Sequence, residues 1–264
     1  MAFSEHYSIL ADFPLYWDPE QLKQGRHHAT YYPDQKSRFA ILPRYGKAED
    51  VMWFEAEPTY VLHWGNAFEE GDELVLDGYF QEDPDPAPLP GLPPAVGKMM
   101  ANIDENSFKS KLHRWRFNLK TGEVREQHLC DRVLEFGSFN QRYAGKQSRY
   151  HYSTWSKPGW FLFSGLVKHD LKTGETWELP FGEERYGSEA PFAPRTNAKD
   201  EDDGYLVSFI TDMLKDRSEC ILVDAKDIEA GPVCRVILPH RISSGTHATW
   251  ADGPALRKVY RNET

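Results

Sequence analysis

The sequence predicts an all-β fold of repeated antiparallel units, and three observations carry that reading. A strand–turn–strand pattern recurs at nearly fixed spacing. β-Branched and aromatic residues sit in runs of four to seven, and no stretch reads as a long amphipathic helix. In chain order, residues 37–46 read as a strand ending in a turn at Gly46, and 50–55 resume as its partner. Residues 73–77 form a further strand. Residues 114–126 hold two strand runs around a Lys-Thr-Gly turn, and 167–178 repeat that hairpin 52 positions later. Runs at 159–163 and 204–210 also read as strands, and 220–237 form a third, degenerate hairpin. A unit near 50 residues, mostly strand with polar glycine turns, is the expected signature of β-propeller blades, and about four are visible.

The prolines of residues 81–94 would remove ladder donors from a central strand, so that stretch reads as a loop. It either crosses the top of the propeller or makes a solvated excursion. A propeller closes its ring by bringing first and last blades together, because exposed sheet edges are otherwise a liability. Four blades therefore read as the C-terminal part of a longer protein, a truncated product, or a small closed four-bladed ring.

At 264 residues the chain is long enough to bury a substantial core. A formal net charge of -10 without a basic stripe excludes a nucleic-acid partner, which needs clustered Lys and Arg. No apolar run is long enough for a membrane span, and none reads as a secretory leader. Cys130, Cys220 and Cys234 show no CxxC spacing, so a reducing, cytoplasmic setting is expected. The 14% aromatic content suits a sheet-rich core, or a pocket for an aromatic or polyene ligand.

Two histidines sit in short segments where a strand-like run meets a glycine: His63 in residues 60–71 and His247 in 241–250. Neutral imidazole suits Fe, Cu, Zn and Ni, but histidine-only ligation leaves the metal charge uncompensated in its immediate shell. Carboxylates behind the rings can fix the tautomer and supply that charge. Glu135 and Glu189 lie in uncharged neighbourhoods and suit that role. His6, His27, His28, His113, His128, His151, His169 and His240 read as structural, and Glu69 and Glu70 as a solvated turn.

At these residues the chain resembles the carotenoid cleavage oxygenase family, in particular its lignostilbene dioxygenase branch. The segment 63–72, with His63, Asn66-Ala67-Phe68, Glu69-Glu70 and Gly71-Asp72, is similar to the family's third-histidine motif. Residues 245–250 resemble the fourth, with Ser243-Ser244 in place of a Pro-containing pair. Glu135-Phe136-Gly137-Ser138-Phe139-Asn140, Arg149-Tyr150, Ser188–Phe192 and Glu201–Gly204 resemble intervening family segments.

The resemblance implies a seven-bladed β-propeller of which residues 1–264 are a single partial domain, with the N-terminal blades missing. It implies four histidines around non-haem iron, Fe(2+), with His63 and His247 as third and fourth ligands and Glu135 and Glu189 as partners of their distal nitrogens. Residues 1–7 and 12–15 resemble the continuation of the second-ligand stretch, whose histidine would precede Met1. The implied activity is that of a dioxygenase cleaving a carbon–carbon double bond of a stilbene or apocarotenoid with O2, giving two carbonyl products. A small hydrophobic or phenolic alkene is the implied substrate, a 4-hydroxystilbene first, and this chain alone is expected to be inactive. The alternative is a non-catalytic propeller fragment or binding module.

Overall fold

The computed structural model describes residues 1–26, 29–243, 245–254 and 256–257. His27, His28 and Ser244 lie outside the described residues. Strands β1 (Ala2–Phe3) and β2 (Tyr7–Asp12) come first, followed by a small hairpin of β3 (Leu15–Trp17) and β4 (Ala29–Tyr31) that encloses the short helix α1 (Pro19–Lys23). Strands β5 (Ser37–Pro43) and β6 (Met52–Ala56) complete a first sheet ordered β1-β2-β5-β6.

A second sheet is made by β7 (Trp64–Glu70), β8 (Glu73–Gln81), β9 (Ser110–Asn118) and β10 (Val124–His128), each antiparallel to the next. The third is a meander of β11 (Glu135–Ser138), β12 (Tyr150–Ser156), β13 (Phe163–Asp170) and β14 (Thr176–Pro180). In the fourth, β15 (Arg185–Tyr186) and β16 (Phe192–Pro194) both pair with β17 (Gly204–Asp212), which continues to β18 (Arg217–Asp224) and β19 (Pro232–Ile237). The all-β expectation therefore holds, as four larger antiparallel sheets and the small β3–β4 sheet. Among the described residues no strand of the first sheet pairs with the fourth.

The repeated hairpins have one physical origin. Asn118 accepts hydrogen bonds at its side chain from the backbone N–H groups of Lys120 and Thr121, and Asp170 does the same for Lys172 and Thr173. Gly122 and Gly174 then take φ of 78° and 80°, a left-handed turn open to glycine at little cost. Apolar side chains from neighbouring sheets pack together: Phe39, Ile41, Leu74, Leu76 and Trp115 in one cluster, Tyr152, Leu166, Leu206 and Ile221 in another, with Tyr79, Leu112 and Val167 between.

Two details depart from the sequence reading. Residues 159–162 are not a strand; Gly159 at φ 85° makes a turn, and β13 begins only at Phe163. Helix α2 (Pro94–Ile103) follows directly on the proline-rich loop, which supplies the fixed-φ residues that start it. No described helix is long and apolar enough to cross a membrane.

Candidate metal centre

His63 stands immediately before β7, and its carbonyl accepts from the N–H of Tyr79 on β8 at 3.2 Å, so the backbone there is already tied to the sheet. Between Trp64 and Ala67 the β7–β8 register shifts. Asn66 fills that irregularity: its amide donates to the carbonyls of Tyr143 and Lys146 and to Ser148 Oγ, and its oxygen accepts from the N–H groups of Ala67 and Gly145. A saturated buried amide of this kind fixes the second sheet against the loop that follows β11.

Glu135 opens β11, where the register against β12 also shifts before Ser138. Such irregularities re-aim a side chain. Phe136 takes φ 51°, and its N–H donates to Glu135 Oε2 at 2.9 Å. Ser110 Oγ donates to the other oxygen, Oε1, at 3.2 Å. The carboxylate is thereby held against His63, whose Nδ1–H donates to Oε2 at 2.8 Å.

His247 comes from the irregular segment after β19. Its Nδ1 lies 3.4 Å from Glu189 Oε2, the oxygen that also accepts from the N–H of Ala248 at 2.9 Å. The two imidazole rings are 5.0 Å apart between centroids, inclined at 73°, with the Phe136 ring against both. All four residues singled out in the sequence are thus brought together as two ring–carboxylate pairs.

Because each carboxylate accepts from Nδ1, each Nε2 is left with its lone pair, the form in which histidine ligates metal. The charges fit as well. Glu135 is 2% exposed, and among the described residues its ion-pair partner is His63 alone; for Glu189 it is His247 alone. A buried carboxylate without Lys or Arg leaves its charge to be met by the imidazole it faces, or by a cation that this imidazole would hold at Nε2. Burial disfavours protonated His63, but the hydrogen bond and charge of Glu135, with the fields of Glu189 and Glu105, outweigh it and raise its pKa. Among the described residues no cluster of three or more His, Cys, Asp and Glu forms a complete metal site.

The other described histidines with side-chain partners serve elsewhere. His6 pairs with Glu69, which also accepts from Ser4, so Glu69 anchors the first strands and is more than a solvated turn residue. His113 and His128 meet at Nδ1 across β9 and β10, and His151 and His169 are buried in the third sheet. The segments 140–150 and 201–204 also converge: Asn140 donates to the Glu201 carbonyl, and the Glu201 carboxylate accepts from the N–H groups of Arg149 and Tyr150.

Sequence reasoning missed Glu105. It is 7% exposed, bonded to the Ser156 hydroxyl, and lines with Glu135 a cavity of about 270 Å³. Burial pushes its carboxyl up to about 7, the Ser156 bond opposing and the charge of Glu135 adding to the rise. The sequence Asp104-Glu105-Asn106 looks like a solvated turn, and nothing in it signals burial.

Fold and site define an all-β protein with a paired imidazole–carboxylate centre. The family model described as retinal pigment epithelial membrane protein matches residues 1–252. The chain belongs to this family, that of the carotenoid cleavage dioxygenases. It is 35% identical over 272 residues to carotenoid 9,10(9',10')-cleavage dioxygenase 1 of Arabidopsis thaliana, covering 97% of this chain and 49% of that protein. Isoeugenol monooxygenase of Pseudomonas putida is 28% identical, with 94% and 53% covered. The crystal structure of Pseudomonas brassicacearum lignostilbene dioxygenase superimposes with a TM-score of 0.78 at 29% identity, over 96% of this chain and 54% of that one. The chain spans about half the length of the relatives it matches.

Proposed function

We propose that this chain contributes half of the metal centre of a non-haem Fe(2+) dioxygenase that cleaves a carbon–carbon double bond of a phenolic stilbene or an apocarotenoid. The observation that carries the reading is the pair of imidazoles 5.0 Å apart, each with Nδ1 turned to its own carboxylate. In this reading the four sheets are blades of one propeller domain spanning 1–264, and further ligands come from outside the described residues. Bound iron would supply O2 activation for insertion of both oxygen atoms across the alkene. The residues of this chain hold the ligands and wall the site. Glu135 and Glu189 fix the tautomers of His63 and His247 and offset charge, while Phe136 packs its ring against both imidazoles.

The names of the relatives support both a carotenoid and a phenolic alkene; the 4-hydroxystilbene is preferred. Iron-loaded protein supplied with 4-hydroxystilbene and labelled O2 tests this, using the chain as given and a version extended upstream. The expected products are two aldehydes, each labelled, from the extended version alone. Isotope in one product only, or no cleavage by either, contradicts the reading. The alternative of a non-catalytic module rests on the finding that, among the described residues, no group of three or more His, Cys, Asp and Glu could hold a metal ion. A purified extended protein that stays folded and free of iron would favour it.

A further inference from the structure

The cavity beside the centre has mostly apolar walls, with Tyr60, Leu62, Phe108 and Phe161 among them, yet four strongly buried polar side chains, Gln81, Glu105, Ser110 and Glu135, also line it. Gln81, at 4% exposure, ends β8, and its side-chain amide meets no hydrogen-bond partner among the described residues. Glu105, at 7%, is held at Oε2 by Ser156, and no described donor reaches its Oε1. Glu135 and Ser110 are already spent: Ser110 donates to Glu135, whose two oxygens are engaged by His63, Phe136 and Ser110.

Neither Gln81 nor Glu105 is among the residues with enclosed unpartnered side-chain atoms; their free donor and acceptor positions open into the cavity, where a ligand can use them for specificity. A cavity of about 270 Å³ is just below the usual range for a whole small-molecule site, so it suits one ring of a longer substrate. We propose that Glu105 and Gln81 determine specificity by hydrogen-bonding a ring hydroxyl of the alkene substrate, seating that ring in the cavity next to His63. The amide and the carboxyl can between them donate to the hydroxyl oxygen and accept its proton, while the apolar walls take the ring faces. A substrate without a hydroxyl leaves both groups unpaired. The inference rests on the alkene-cleaving reading and adds a determinant to it.

Calorimetric titration of the whole chain with 4-hydroxystilbene and with unsubstituted stilbene tests it without turnover. Glu105→Leu should weaken the hydroxylated ligand by about three- to tenfold, as loss of one hydrogen bond requires, and leave stilbene within about twofold. Glu105→Gln should keep most of the preference. Gln81→Leu reports on the same ratio should Glu105→Leu not fold. Equal weakening of both ligands, or no change in either, overturns the inference alone. Failure of the unaltered chain to bind either ligand also overturns this inference, whereas the alkene reading is overturned only by the extended version's failure to cleave.

Discussion

At the residue scale, the centre depends on how tightly the turn around Glu135 is packed. A Cβ added at Gly137 would lie 2.3 Å from the Tyr79 hydroxyl and 2.5 Å from His151 Nε2, so Gly137→Ala must push a buried hydrogen-bonded pair apart. The expected cost is about 1–3 kcal/mol, read as a lower Tm. By contrast, nothing lies within 4 Å of the Cβ position at Gly122, where Ala should cost only the left-handed strain, about 1 kcal/mol. The Gly137 loss should exceed the Gly122 loss by about 1 kcal/mol or more, as the added contacts require; a Gly137 loss no larger than that at Gly122 would contradict the packing argument. His63, His247, Glu135 and Glu189 were legible in the sequence because each lies in a short motif with distinctive neighbours. Glu105 and Gln81 were not. Their burial is imposed by segments distant in sequence, and no local pattern of polar residues reports such a cover.

At the element scale, the third sheet hides buried polar groups. A consistent donor order runs from His169 through Ser153 and the Tyr79 hydroxyl to His151. Burial, with the neighbouring charge of His169 and Arg114, lowers the His151 pKa to about 3; burial, with Arg132, lowers that of His169 to about 4. The unfolded chain takes up these protons near the ordinary value of about 6.5, while the folded chain does not. Stability from this source is therefore complete above about pH 6.5 and falls as the pH drops toward 4. At about pH 5 the loss is on the order of 2 kcal/mol per imidazole. Thermal unfolding from about pH 7 to pH 5 should show a falling Tm, and His169→Gln should reduce that fall; an unchanged slope would contradict the assignment. The same polar character made β12 hard to see, since its Tyr-His-Tyr-Ser-Thr-Trp-Ser run lacks apolar alternation and is buried by hydrogen bonding. The Lys-Thr-Gly hairpins were plain because Asn118, Asp170 and their glycines encode the turn locally. Trp160 and Phe161 suggested a strand, but Pro158-Gly159 turns the chain there, leaving Trp160 exposed.

At the scale of the whole molecule, the four sheets bring two distant segments to one point. His63 comes from the edge of the second sheet, His247 from beyond the fourth, and Glu135 and Glu189 from the segments between. The sequence repeat conveyed the sheets, and the motifs conveyed the convergence. The central claim is that His63 and His247 act on one metal ion. The most direct measurement is a Co(2+) titration of the chain followed by NMR of its imidazole signals, assigned with His63→Gln and His247→Gln. The account predicts that these two signals broaden together and before those of His113, His128 and His6, and that either substitution removes the effect at the other ring. Earlier broadening at another histidine, or an unchanged response of one ring when the other is replaced, would contradict it.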